Sequence, residues 1–374
     1  MSTTEYGIFL PIGNGGWMVS TTAPHPEASY DYNKRTALLA EQVGLDFIMS
    51  MAKWRGFGGS TDHWGETLES MTLMSALAEA TSTVKIWATM HANMHNPAAA
   101  AKMYSTLQQI SNGRAGMNIV NGSYAAEFEQ MGLWDASMTH AERYEMTEEW
   151  TKAVTRLWAE DSVTMHGKYF TLDECESRPR PAIRPSIISA GRSETGREFQ
   201  ARYADAAFLG ADTLEEMRSY SRDVHERAAG YGREVKTYSM LTVVQGDTDA
   251  AADARVREYG AGLDREALTN MQISWGVPED RARAWSEGEV GEKAFQTPYA
   301  AGSAETLVEK IAGIVEEAEL DGLMLIFPDY LADIEPFGEA VLPALRARGT
   351  GAATAAGAPA AGAPAAGSPT GVTA

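Results

Sequence analysis

The side chains of this sequence best suited to chemistry are concentrated between residues 111 and 144. The apolar run Ala115–Val120 leads directly into a polar segment, and a long helical pattern follows. The polar side chains in this stretch are Asn118, Asn121, Glu127, Arg143 and Tyr144. If the apolar run is a strand of an alternating strand–helix barrel, its carboxyl end and the following loop are where a ligand binds.

Two neighbouring strand ends carry further candidates. In SMAKWRGFGG, Lys53 and Trp54 offer cationic and aromatic surface to a flat, anionic ligand, although solvated surface charge explains them equally well. In WATMHANMHNP, His91 and His95 are four residues apart, but Pro97 confines the segment to a loop and no acidic ligand is in register. We therefore expect no metal here and interpret the histidines as hydrogen-bond partners or proton relays for a substrate.

Two more loops bear on ligand binding. After the run Ser186–Ala190, Gly191 and Ser193 precede a helical pattern, so that Ser193 either binds a phosphate together with free backbone amides or simply caps the helix. The first predicted strand ends in PIGNGGWMVST, which lacks a complete dinucleotide-binding glycine motif. Its Trp17 is interpreted as a wall of the ligand cavity. Because no set of nucleophile, acid and base stands out, we expect a cofactor to supply the chemistry.

These residues follow strands that recur along the chain. Eight short apolar runs alternate with amphipathic helical patterns: 6–12, 46–50, 84–89, 115–120, 186–190, 204–209, 238–244 and 322–327. Such alternation is typical of a parallel sheet covered by helices, and eight units favour a closed (β/α)₈ barrel over an open doubly wound sheet.

Long intervals predict insertions after the fourth and seventh strands, and residues 259–300 are expected to form a lid beside the site. The domain is expected to span residues 1–348. The Ala-, Gly- and Pro-rich residues 349–374 are expected to be a disordered tail.

The composition excludes several partners. A net charge of −20 argues against nucleic acid and anionic membrane surfaces. The chain shows no signal peptide pattern, no long apolar run and a single cysteine, so a cytoplasmic location is expected.

Seven segments resemble the luciferase-like flavin monooxygenases, and most closely their pyrimidine-oxygenase branch, to which dimethylsulfone monooxygenases form a neighbouring branch. The segments are IFLPIGNGGWMVST, SMAKWRGFGG, SNGRAGMNIVNG, EFEQMGLW, HAERYEMTEEW, SAGRSETGREFQARYAD and GLMLIFPDYLADIEPFGEAVLPAL. The resemblance implies a TIM barrel that binds reduced FMN, delivered by a separate NAD(P)H:flavin reductase (the group C arrangement). It also implies that a flavin peroxide formed with O₂ oxygenates a heterocyclic amide-type or similarly electrophilic ring, and that the protein is a homo-oligomer.

The resemblance also assigns roles to individual residues. The residues expected to bind FMN are Ala52, Lys53, Asn118, Glu127, Arg143, Tyr144 and Ser193. Thr89 and Asn118 are expected to be catalytic, at the flavin edge where oxygen reacts. The expected substrate contacts are Trp17, Trp54, His91, His95, Ser123 and Tyr124.

One departure makes uracil itself uncertain as the substrate. Ser123 stands where the pyrimidine and dimethylsulfone branches have tryptophan, which suggests a larger or more polar substrate. Three alternatives keep the same fold: action on a sulfone or another carbon–heteroatom bond, a non-catalytic flavin-binding barrel, or a deazaflavin-dependent enzyme.

Overall fold

A computed structural model describes residues 4–122, 124–287 and 294–348. The strands are β1 Glu5–Phe9, β2 Phe47–Met49, β3 Lys85–His91, β4 Ala115–Val120, β5 Val163–His166, β6 Thr171–Cys175, β7 Ser186–Ala190, β8 Ala206–Leu209, β9 Lys236–Gln245, β10 Tyr299–Gly302 and β11 Gly322–Ile326. The helices are α1 Tyr30–Gln42, α2 Ser70–Ala80, α3 Pro97–Ile110, α4 Ala125–Glu129, α5 His140–Ala159, α6 Glu194–Tyr203, α7 Leu214–Gly230, α8 Asp249–Ala261, α9 Arg265–Ser274, α10 Glu279–Glu287, α11 Ala304–Glu317 and α12 Tyr330–Pro336, which continues into a π-helical turn, Phe337–Val341.

Eight parallel strands close into a barrel in the order β1, β2, β3, β4, β7, β8, β9 and β11. Closure is complete because β9 pairs with both β8 and β11, and β11 pairs with β1. The predicted (β/α)₈ barrel is therefore confirmed, and the open sheet is excluded.

Aromatic side chains fill the barrel interior. The Phe47 and Trp87 rings stack with their centroids 4.2 Å apart, and Tyr238 meets both rings edge-on. Gly7 provides the room for this layer, since a Cβ atom at that position would lie 2.4 Å from the Phe47 ring. Below the layer, the Glu5 carboxylate pairs with Lys85 and Lys236 and accepts a hydrogen bond from the Tyr238 hydroxyl. This cluster lies at the amino end of the barrel and lines a separate pocket of about 550 Å³, whereas the polar strand ends identified in the sequence lie at the carboxyl end.

Both insertions contain regular structure; the helical patterns over α5 and α11 were predicted, whereas strands β5, β6 and β10 were not. Between β4 and β7 lie α4, α5 and the antiparallel hairpin of β5 and β6. Between β9 and β11 lie α8 to α11 and β10, which pairs in parallel with residues 242–245 at the carboxyl end of β9. The predicted tail, residues 349–374, and residues 288–293 of the predicted lid lie outside the described residues.

None of the helices in the described ranges is long and apolar enough to cross a membrane.

Candidate active site

A cavity of about 360 Å³ opens at the carboxyl ends of the barrel strands. The strand ends of β3 and β4 contribute Thr89, His91 and Asn118, while the loops that follow β2 and β4 contribute Ala52, Lys53, Tyr124 and Glu127. The barrel therefore brings together residues that are widely separated in the sequence, as the sequence analysis predicted for strand ends.

Thr89 and Asn118 form the polar floor of this cavity. They are register partners on adjacent strands, and Asn118 Nδ2 donates a hydrogen bond to Thr89 Oγ1 at 2.9 Å. The Thr89 hydroxyl in turn donates to the Ser50 carbonyl oxygen. Asn118 Oδ1 is buried without a hydrogen-bond partner among the described residues. A buried amide oxygen is costly to leave unpaired, so the fold presents an acceptor in a fixed position for a ligand donor.

A buried ion pair forms one wall. Lys53 Nζ lies 3.5 Å from Glu127 Oε2 and sits over the Tyr124 and Phe57 rings, 4.5 and 4.7 Å from their centroids. Glu127 Oε1 accepts a hydrogen bond from the Trp54 backbone N–H at 2.5 Å. Burial lowers the pKa of Lys53, and the neighbouring Glu127 carboxylate partly offsets this effect. The pair thus joins the loop after β2 to α4 and provides a cation within an aromatic wall.

The two histidines occupy different environments. His91 lines the cavity and packs edge-on against Phe128, with ring centroids 5.1 Å apart. Burial lowers the pKa of His91 to about 3, so the ring is neutral at pH 7. His95 does not line this cavity, and its Nδ1 lies 3.1 Å from the His91 carbonyl oxygen. This placement favours His91 as a hydrogen-bond partner and does not support direct contact between His95 and substrate.

Tyr144 and Ser193 meet at the amino end of α6. Ser193 caps this helix by accepting a hydrogen bond from the Gly196 N–H at 3.0 Å. Cβ atoms added at Gly191 or Gly196 would each lie 2.7 Å from the Tyr144 hydroxyl. Burial raises the pKa of Tyr144, and hydrogen bonding with Ser193 and Asn121 partly opposes this rise. Glycine, hydroxyl groups and a helix N-terminus together make a cradle suited to an anion.

The remaining predicted contacts lie around the mouth. Arg143 packs over Trp134 and donates to the Met138 carbonyl oxygen, in a groove adjoining the cavity. The Trp54 indole is partly exposed and does not line the cavity. Trp17 lines a separate, adjoining chamber. Ser123 lies outside the described residues.

The sequence analysis did not identify three residues that line this mouth, Arg192, Met240 and Trp275. Trp275 ends α9 in the long insertion and is followed by Gly276, whose φ of +85° turns the chain away. The only signal in the sequence was a tryptophan directly before a glycine that could end a helix. Nothing in the linear sequence places this tryptophan beside β4.

Within the part of the chain that the structure describes, no group of three or more His, Cys, Asp or Glu side chains is placed to hold a metal ion.

The chain belongs to the luciferase-like monooxygenase family, whose model matches residues 4–321. The fold and the site therefore define a monooxygenase of this class, and the resemblance inferred from the sequence is confirmed.

Among curated proteins, the chain is 37% identical over 355 residues to the pyrimidine monooxygenase RutA of Acinetobacter baylyi, covering 92% of this chain and 95% of that protein. Among solved structures, the long-chain alkane monooxygenase LadA superposes with a TM-score of 0.80 at 20% identity, covering 93% of this chain and 92% of LadA. An F420-dependent secondary alcohol dehydrogenase superposes with a TM-score of 0.71 at 21% identity, covering 92% and 99%. These structural likenesses show the fold alone.

Proposed function

We propose that this chain is a two-component monooxygenase that uses reduced FMN and O₂ to oxygenate a heterocyclic amide-type, pyrimidine-like ring or a similarly electrophilic one. The observation that carries the proposal is Asn118, whose Oδ1 is buried and unpaired in the described structure while its Nδ2 is fixed by Thr89. Flavins and pyrimidines both present ring N–H groups that such an acceptor binds. The names of the curated relatives, pyrimidine monooxygenases, support the substrate class.

The residues present fit FMN at both ends of the molecule. At the ring end, Asn118 offers its unpaired oxygen, and the wall of Ala52, Lys53 and Glu127 offers a cation. At the phosphate end, Gly191 and Gly196 let the Tyr144 hydroxyl approach the amino end of α6, since a Cβ atom at either glycine would lie 2.7 Å from that hydroxyl. The Tyr144 and Ser193 hydroxyls and the helix N-terminus are the groups that a phosphate would meet. Arg143 precedes Tyr144 in α5, and its side chain lies beside Trp134 in the groove that adjoins the cavity. These are the residues that we propose hold the cofactor.

Bound reduced FMN supplies two electrons to O₂, so that one oxygen atom enters the substrate and the other leaves as water. The chain itself positions and shields the reactants. Thr89 holds the Asn118 amide in one orientation, which lets its oxygen stabilise an N–H of the bound ring without reorganising. The neutral His91 provides a further hydrogen-bonding nitrogen and no ionisable proton at pH 7. Ser274 and Trp275, at the end of α9, line the cavity and limit the access of water to it.

Two alternatives keep the barrel and change the chemistry. A sulfone substrate has no N–H for the Asn118 oxygen but would accept a hydrogen bond from a His91 ring N–H, and a deazaflavin would occupy the same mouth. The F420-dependent dehydrogenase with this fold is the observation that favours the second alternative. A non-catalytic flavin-binding barrel is the third alternative, and it would bind reduced FMN without oxygenating any substrate.

The decisive experiment is an anaerobic titration of the purified protein with reduced FMN, followed by rapid mixing with O₂. Tight binding and a transient absorbance distinct from reduced and oxidised flavin would support the proposal. Uracil and substituted uracils are then screened for faster decay of that absorbance and for incorporation of one ¹⁸O atom. Preference for reduced F420, or direct reoxidation of FMN with every substrate, would overturn it.

We further propose, on the resemblance alone, that the reduced FMN comes from a separate NAD(P)H:flavin reductase and that the protein works in the cytoplasm as a homo-oligomer. Size-exclusion chromatography with light scattering tests the assembly. Activity with reduced FMN from an unrelated flavin reductase tests whether the reductase and the monooxygenase are separate proteins.

A further inference from the structure

A second chamber of about 450 Å³ adjoins the main cavity, on the side formed by the ends of β8 and β9. Its apolar walls are made by Trp17, Trp64, Met240, Met271 and Trp275, and we call it the aromatic chamber. It is adjacent to the main cavity because Met240, Trp275, Arg192, Leu209 and Gly210 line both. A substituent on a ligand in the main cavity would reach the aromatic chamber by passing between these shared residues.

Two of the aromatic walls are held rigidly. The Trp17 ring stacks on Phe9 with centroids 4.0 Å apart and meets Trp64 edge-on at 5.0 Å. Both indole N–H groups donate to backbone carbonyls, Trp17 to Leu10 at 3.4 Å and Trp64 to Gly16 at 2.6 Å. Trp64 also has a φ of +57°, a strained conformation for a bulky residue that tends to occur at functional sites. The chamber is thus preorganised, with its polar indole atoms already satisfied.

The polar residues that line the chamber are Ser239, Gln296, Thr297 and the pair Arg192 and Asp212. Ser239 has a buried hydroxyl with no hydrogen-bond partner in the described ranges. The Thr297 hydroxyl lies 2.8 Å from Thr242 Oγ1. The two charged side chains are largely exposed and pair with each other, Arg192 donating to Asp212 at 3.3 Å. This lining fits a neutral aromatic group that carries a hydrogen-bonding atom.

We propose that the substrate carries a neutral aryl substituent, which the aromatic chamber binds while the reacting ring lies in the main cavity. The proposal rests on the proposed function and makes it more specific. An unsubstituted pyrimidine would leave the Trp17, Trp64 and Trp275 surfaces in contact with water. Removing a phenyl-sized apolar group from water strengthens binding by about 10- to 100-fold.

The test compares uracil with uracils that bear one benzyl group at N1, C5 or C6, and uses benzyl alcohol as a probe of the aromatic chamber alone. Binding to the FMN-loaded protein is measured by calorimetry. We expect at least one benzyl isomer to bind about 10- to 100-fold more tightly than uracil. Trp275→Ala should weaken benzyl alcohol binding and remove most of that gain, measured as the ratio of benzyluracil to uracil affinity because Trp275 lines both cavities. Trp275 is 56% exposed, so the variant should fold.

The matched control is Trp285→Ala, which removes another exposed indole, on α10, that does not line the aromatic chamber. This variant should behave as wild type with every ligand. If no benzyl isomer exceeds uracil, or if the gain survives Trp275→Ala, the proposal is wrong.

The two proposals fail in different ways. Oxygenation of uracil without any binding of benzyl alcohol would overturn the role of the aromatic chamber and keep the proposed function. Trp275-dependent binding of benzyl alcohol, with no binding of any uracil, would keep the chamber as an aryl site and overturn the pyrimidine-like ring.

Discussion

The Asn118 amide has one atom committed to the protein and one left for a ligand. Nδ2 donates to Thr89, whereas Oδ1 has no partner in the described part of the chain. Asn118→Ala should therefore lower kcat/KM by about 10- to 100-fold and raise the fraction of O₂ released as hydrogen peroxide. Oxygen uptake and product formation, measured together, give the coupling ratio.

A matched control separates this role from the loss of a buried amide. Asn33, on α1, is also fully buried, with Nδ2 bonded to the Ser29 carbonyl oxygen and Oδ1 without a partner in the described structure. Asn33→Ala should lower the free energy of unfolding and leave coupling unchanged. Equal uncoupling in both variants would show that Asn118 acts only through stability.

Ser193 combines a helix cap with the proposed phosphate contact, and the two roles can be separated. Ser193→Ala should weaken FMN binding by about 10- to 100-fold and cost about 1 kcal/mol of stability. Ser303 is a matched cap on α11, where its hydroxyl accepts from the Thr306 N–H, away from the cavity. Ser303→Ala should show the same loss of stability with normal FMN affinity. Fluorescence titration with FMN and urea denaturation measure the two quantities; normal affinity in Ser193→Ala would leave Ser193 a cap alone.

The site residues that could be predicted from the sequence share one physical property. Thr89, Asn118 and Ser193 stand at or just after apolar strands, and parallel strands bring their carboxyl ends to one face. The position of Trp275 and the orientation of Trp17 depend instead on how long loops pack across that face. No local pattern encodes such packing, which is why the aromatic chamber could not be predicted.

At the scale of elements, the strands that are buried on both faces were the easiest to predict from the sequence. The barrel strands are near-continuous apolar runs, so all eight were predicted. The β5–β6 hairpin was missed because its segment, VTMHGKYFTLDEC, is mostly exposed and each strand is short, so the apolar pattern is weak. Strand β10 reads YAAG, whose small residues carry little strand preference without the β9 edge beside them.

Asp264 makes several of the hydrogen bonds that attach the segment expected to act as a lid to the barrel mouth, and the Asn270 side chain adds another by donating to the Phe57 carbonyl oxygen at 2.8 Å. Asp264 caps α9 through the Ala267 N–H and accepts from the Thr61 N–H at 2.7 Å, the Thr61 hydroxyl at 2.8 Å and the Ser60 hydroxyl at 3.1 Å. Burial alone would raise the pKa of Asp264, but the hydrogen bonds from Thr61 and Ala267 lower it. Helix α9 and the loop after β2 therefore behave as one wall.

Asp264→Ala should separate these two elements. We expect a loss of about 2 to 3 kcal/mol in stability, faster amide exchange in α9 and more peroxide release, because water then reaches the site. Thr248→Ala is the control, since Thr248 caps α8 with a single bond to the Ala251 N–H. It should cost about 1 kcal/mol and leave coupling intact. Unchanged coupling in Asp264→Ala, despite faster exchange in α9, would refute the shielding role of this segment.

At the scale of the whole molecule, two buried histidines make stability dependent on pH. Burial lowers the pKa of His63 to about 4 and that of His91 to about 3, against about 6.5 in an unfolded chain. Between pH 6.5 and 4 the unfolded chain binds protons at both rings and the native protein does not, so stability falls as the pH falls. From pH 7 to pH 5 each ring contributes a loss of about 2 kcal/mol.

His63 allows this prediction to be tested with little disturbance of the fold. Both of its ring nitrogens are buried without a partner among the residues described, and the ring stacks on Trp64 with centroids 4.9 Å apart. His63→Phe therefore removes a titrating group, keeps an aromatic ring in the stack and breaks no hydrogen bond seen in the structure. Urea denaturation at pH 5, 6 and 7 should show the variant losing about 2 kcal/mol less than wild type over that interval. His166→Phe, which changes an exposed ring in β5, should retain the wild-type dependence. An unaltered dependence in His63→Phe would mean that this ring already takes up its proton in the native protein.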